Sequence, residues 1–155
     1  MRLGRLAVGV WLLSPLMAAG CGGEGASSGK AVVYTCCKQE DVGKEYRPGE
    51  TLTLHWTAEE KDGAPASGAT DLRARMVGPF DSASAVKEVP VGGSTGSLSL
   101  TASPVRIDGG GKTEPVSEIQ IPRDATPGYY NLNHISTAGG SSVSGNAVIR
   151  IVAAG

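Results

Sequence analysis

The chain has 155 residues, 14 basic and 15 acidic side chains for a net charge of −1, and 23 glycines against one phenylalanine. That length suits one domain with a real core, and so even a charge balance lacks the clustered Lys and Arg on which phosphate binding relies, so nucleic acid is not expected as a partner. Three cysteines are too few for a densely stapled disulfide scaffold.

The N-terminus reads MRLGRLAVGVWLLSPLMAAGC, with Arg2 and Arg5 ahead of an apolar run from Leu6 to Ala19, then small residues, then Cys21. This is the layout of an export signal, and it leaves the fold argument. Ser14 and Pro15 break the run, which falls short of the roughly 20 apolar residues of a spanning helix. The order of charge, apolar stretch, Ala18-Ala19-Gly20 and cysteine resembles the bacterial lipoprotein lipobox. That resemblance implies removal of residues 1–20 and lipidation of Cys21 with palmitate-like acyl chains. It also implies anchorage on the outer face of the cell membrane or in the outer membrane. Two or more acyl chains anchor stably at about 0.8 kcal/mol per buried CH₂. Without Arg2 and Arg5 the mature chain keeps 12 basic side chains against 15 acidic.

After the lipidated cysteine, residues 22–30 (GGEGASSGK) bring no apolar side chain larger than the Ala26 methyl and are expected to complete a flexible tether over 21–30, spanning at most about 30 Å. The domain proper is 31–155. From Ala31 onward apolar residues recur with a period near two, punctuated by Gly, Pro, Ser and Asp, which predicts strands and no helical stripe. In chain order the candidates are Ala31 to Cys36, Thr51 to Thr57, Asp71 to Val77, Ala85 to Val91, Ser97 to Ala102, Val116 to Ile121, Tyr129 to Ser136 and Ala147 to Val152. The second is the clearest: Leu52, Leu54 and Trp56 share one face, Thr51, Thr53, His55 and Thr57 the other. About seven short strands in roughly 120 residues predict an all-β, two-sheet antiparallel sandwich of immunoglobulin-like type.

Two Pro-Gly turns lead into strands, in YRPGETLTLHW and IPRDATPGYYNL, and AVIRIV closes the chain. Together these segments resemble bacterial immunoglobulin-like extracellular domains over most of residues 42–152. Trp56 is expected in the core. Tyr130, two residues after Gly128, has the spacing of a tyrosine corner, in which a phenol bonds to backbone a few residues upstream. Tyr129 faces the other way. The loops Glu59 to Ala69 and Ile107 to Glu114 are the expected contact surfaces, since sandwich ends carry the variable loops.

Three chemical motifs fail on context. Gly92-Gly93-Ser94-Thr95-Gly96 matches G-x-S-x-G, but a strand-like alternation follows where the hydrolase elbow needs a helix. Gly109-Gly110-Gly111-Lys112-Thr113 ends like a phosphate-binding loop, but Arg106 occupies the first glycine's position and Glu114-Pro115 opens a strand instead of a helix. His55 and His134 lie far apart in the chain, and no paired C-x-x-C accompanies them, so no preformed metal site is read.

With Cys21 assigned to lipid, Cys36 and Cys37 remain for thiol chemistry in an oxidising compartment. A vicinal disulfide at the end of the first strand, free or buried thiols, an intermolecular link and a metal site all stay open. The expected protein is a cell-envelope lipoprotein, held to the membrane through Cys21. Its sandwich is a non-catalytic binding or structural module for a protein or envelope polymer, with no cofactor. The alternative is an extracytoplasmic metal-binding or redox protein that uses Cys36 and Cys37.

Overall fold

The computed structural model describes residues 31–62, 68–109, 114–153 and 155. The signal segment, Cys21, the tether and parts of both predicted contact loops lie outside the described residues.

Among the described residues nine strands build two layers. The smaller sheet pairs β1 (Ala31–Cys36), β3 (Thr51–Lys61) and β7 (Val116–Gln120) in the order β1-β3-β7. The larger runs β2 (Glu45–Tyr46), β9 (Ser141–Ile151), β8 (Gly128–Ala138), β4 (Thr70–Phe80) and β5 (Leu98–Thr101), with β6 (Val105–Ile107) also paired to β4. Every pairing is antiparallel except the two-residue contact of β2 with β9, which is parallel. This is an immunoglobulin-like β-sandwich.

The alternation seen in the sequence sets the core. Leu52, Leu54 and Trp56 turn inward from β3, and meet Leu72, Ala74 and Met76 from β4, Tyr130 and Leu132 from β8, and Ile149 and Ile151 from β9. Trp56 is fully buried and its Nε1–H donates to Ser117 Oγ on β7 at 3.0 Å. The Tyr130 hydroxyl, four residues downstream of its acceptor, donates to the Thr126 carbonyl at 2.7 Å, the bond of a tyrosine corner. Gly78 is required on β4, because a Cβ there would stand 2.5 Å from the Tyr130 ring.

Two expectations need correction. Ala85 to Val91 is not a strand: the end of α2 (Ala83–Lys87) and the turn that follows occupy it, the helix capped where Ser82 Oγ accepts the Ala85 N–H at 3.1 Å. A second short helix, α1 (Gln39–Val42), follows β1. Neither helix is long enough to write a 3.6-residue stripe into the sequence, so both escape a reading by period. The predicted loop from Glu59 is also strand at its start, since β3 runs on to Lys61 against β1.

Helix α2 lies on the outer face of the larger sheet, against β4, β8 and β9, and buries Val86 there. Beneath this layer Asn131 is fully buried across the ladder from Val77 and Val148, with neither carboxamide atom bonded among the described residues. Such unpaired burial costs about 1–3 kcal/mol.

Candidate functional site

Two places concentrate chemistry: the end of β1, which the sequence singles out, and the outer face of the larger sheet, which it does not.

At the end of β1, Cys36 lies across the ladder from Trp56. The peptide between Cys36 and Cys37 is cis, and their sulfurs are joined to each other as a disulfide. Both residues are partly buried and pack against the core. The chain then turns into α1, whose Asp41 is only 4% exposed. One carboxylate oxygen, Oδ2, accepts the backbone N–H of Lys38 at 3.2 Å and of His55 at 2.8 Å. The other, Oδ1, is 2.8 Å from His55 Nδ1. The Asp41 carbonyl in turn accepts the Tyr46 hydroxyl at 2.6 Å. Burial, with the Asp41 and Glu50 charges adding to it, pushes that phenol up to about 12. Asp41 therefore ties the segment just after the cysteine pair to both β2 and β3. Lys38 Nζ reaches out to Glu114 Oε2 at 2.9 Å. No group of three or more His, Cys, Asp or Glu residues comes together among the described residues.

His134, the other histidine, does not join this cluster. Its ring stands T-shaped to the Trp56 indole at 6.0 Å between centroids, and a Cβ on Gly145 would come within 2.8 Å of it. Burial lowers its pKa from the ordinary 6.5. It is therefore neutral in the folded protein at pH 7, whereas unfolding returns it to the ordinary value. Below pH 6.5 the unfolded chain binds the proton more readily, so stability is expected to fall as pH drops from there toward the depressed folded value. Urea melts at pH 7.5 and 5.0 check this. The loss on acidification should shrink in His134→Phe, which keeps an aromatic ring against Trp56.

On the outer face of the larger sheet, β4 presents Arg73 and Arg75, with Ile135 of β8 across from Arg73 and Asn133 across from Arg75. Thr101 of β5 flanks Arg75 on its other side. The loop that follows α2 bends over this face, held where Asn133 Oδ1 accepts the Gly92 N–H at 2.9 Å. Together these residues and Val91 line a groove of about 400 Å³. Arg75 Nε donates to Ser99 Oγ at 2.8 Å, whereas Arg73 is exposed and has no acid partner among the described residues. Beside them Arg106 is already balanced by Asp71 and Asp108, at 3.7 and 3.3 Å. The groove is thus cationic, without a counter-charge in its lining among the described residues, and its apolar wall includes Val91 and Ile135, 57% and 36% exposed.

Two motif residues can now be placed. Ser94 is exposed on the irregular loop ahead of β5, and its hydroxyl makes no hydrogen bond among the described residues. Lys112 and Thr113 lie outside the described residues. Tyr129 carries the Arg150 guanidinium over its ring at 5.7 Å, and Arg150 is also paired with Glu45 at 2.7 Å.

No protein-family model matches the chain, and no characterised protein matches it by sequence. Among solved structures it is similar to the CARDB domain of the PF1109 protein from Pyrococcus furiosus, determined in complex with di-metal ions. That match has 11% identity and a TM-score of 0.44 over 80% of this chain and 88% of that one. It is also similar to a cohesin module from a Clostridium perfringens family 33 glycoside hydrolase, at 10% identity and a TM-score of 0.41 over 81% and 98%. A Clostridium perfringens family 123 glycoside hydrolase aligns at 14% identity and a TM-score of 0.47 over 80% of this chain and 28% of its own.

Proposed function

We propose that this is a lipid-anchored protein of the cell envelope whose sandwich is a non-catalytic binding module, engaging its ligand on the outer face of the larger sheet. One observation carries the reading: the stretch of that face left uncovered by α2 is concave and holds an arginine, Arg73, with no acid partner among the described residues. An unbalanced cation beside exposed apolar side chains is a surface arranged for a partner. The lipobox-like segment supports export and anchorage, and the tether after Cys21 holds the domain within about 30 Å of the membrane.

The test has two arms on the full-length protein in intact cells. Intact mass should show acyl chains on Cys21, and Cys21→Ala should move the protein to the soluble fraction. A photo-reactive amino acid replacing Ile135 should yield a discrete crosslinked adduct, whereas one replacing Val116, exposed on the smaller sheet, should not. Soluble wild-type protein without acyl mass would sink the anchorage. Identical adducts from both positions would sink the binding face.

A further inference from the structure

We infer that the groove between the loop after α2 and strands β4 and β8 binds the free carboxylate end of a peptide whose last residues are apolar. This rests on the binding-module reading and names its ligand class. Among the described residues the charge of the groove comes from Arg73 and Arg75, and no Asp or Glu lies in its lining. Both side chains project from one face of β4 because a single residue, Ala74, separates them. Arg75 is braced through its Nε on Ser99, which leaves the outer nitrogens of its guanidinium to a ligand; Arg73 is exposed and has no acid partner among the described residues. A guanidinium meets a carboxylate with two parallel N–H donors, a geometry that a neutral carboxamide cannot match.

The walls select what carries that carboxylate. Val91 and Ile135 offer apolar surface, while the Thr101 and Ser144 hydroxyls interrupt it. A peptide alternates in the same way between apolar side chains and hydrogen-bonding main chain. The uninterrupted tail of a fatty acid would lay methylenes against both hydroxyls. The volume, about 400 Å³, lies within the usual range for ligand pockets and holds a chain end of two or so residues. Asn133, by fixing the Gly92 backbone, keeps the loop in place as one wall before any ligand arrives.

The test uses full-length protein extracted in mild detergent and a fluorescein-labelled peptide ending in valine-leucine, offered with a free C-terminal carboxylate or as the carboxamide. Fluorescence anisotropy should show binding of the carboxylate form and at least ten-fold weaker binding of the carboxamide. Arg73→Gln and Arg75→Gln should each weaken the carboxylate form about ten-fold or more, the worth of a charge-assisted bond. The double variant should abolish it, with circular dichroism confirming the fold. Arg150→Gln, whose wild-type side chain is paired with Glu45, should change nothing. Equal binding of both peptide forms, or indifference to the double variant, overturns the inference but leaves the binding module standing. Dodecanoate displacing the peptide at equal or lower concentration overturns the peptide as ligand. If neither peptide binds, the inference fails; an adduct from Ile135 would then preserve the binding module, and no adduct would remove that as well.

Discussion

Trp56→Ala is expected to cost about 4 kcal/mol of stability or more, the upper range for emptying an aromatic core position. The side chain has no exposed surface and stands where the two sheets meet, with the β8 ring of His134 T-shaped to it and Ser117 of β7 on its indole nitrogen. Removing it leaves a cavity that neighbouring strands cannot close without breaking register, and it strips the buried Ser117 hydroxyl of its partner. For a domain whose total stability is typically about 5–15 kcal/mol, this approaches global unfolding. Urea melts followed by far-UV circular dichroism measure it. Trp56→Phe separates the terms: it should keep most of the packing and lose about 1–2 kcal/mol through the missing N–H donor and residual space. Adding Ser117→Ala to Trp56→Phe should then cost little more. A cost below about 1 kcal/mol for the alanine variant would contradict the placement of Trp56 at the centre of the sandwich.

The second large effect is expected at Asp41. Its carboxylate is the acceptor for two backbone N–H groups, Lys38 and His55, and for the His55 ring. Asp41→Ala strands both backbone donors in a partly buried setting, at a cost of about 3 kcal/mol, with the contribution of the His55 ring discounted because that side chain is 37% exposed. Asp41→Asn keeps one acceptor oxygen and should lose about half as much. The effect should be local. Hydrogen exchange at the Lys38 and His55 amides should accelerate together, and the Cys36–Cys37 bond should be reduced faster by a small dithiol, because α1 no longer holds the chain that follows it. Unchanged exchange at those two amides would refute the clamp.

The difference between these two positions shows how far a linear reading reaches. Trp56 was placed in the core because a strand has a side-chain period of two, and Leu52, Leu54 and Trp56 obey it without tertiary information. Tyr130 was read through a turn of fixed spacing, which is equally local. Asp41, one acidic residue in a polar run after the cysteine pair, carried no such signal. It is buried because α1 folds back on β3, a contact between residues 14 positions apart. The second helix was misread for a related reason: five residues at Ala83–Lys87 are too few to show a helical period, and Val86 is buried by the sheet beneath it.

The sequence by itself determined the two-sheet layout, the inward face of the Trp56 strand, and an N-terminus resembling a lipoprotein's, because each follows from short-range order: alternation, turn residues and the sequence of charge, apolar run and cysteine. Only the tertiary structure decided that the outer face of the larger sheet is partly capped by α2, that Arg106 is neutralised by Asp71 and Asp108 while Arg73 is left unpaired among the described residues, and that β8 and the loop around Gly92 close a groove around it. The physical reason is range. Periodicity sorts side chains to one side of a strand or the other, but the charge and cover that a side chain meets there come from strands and loops distant in the chain.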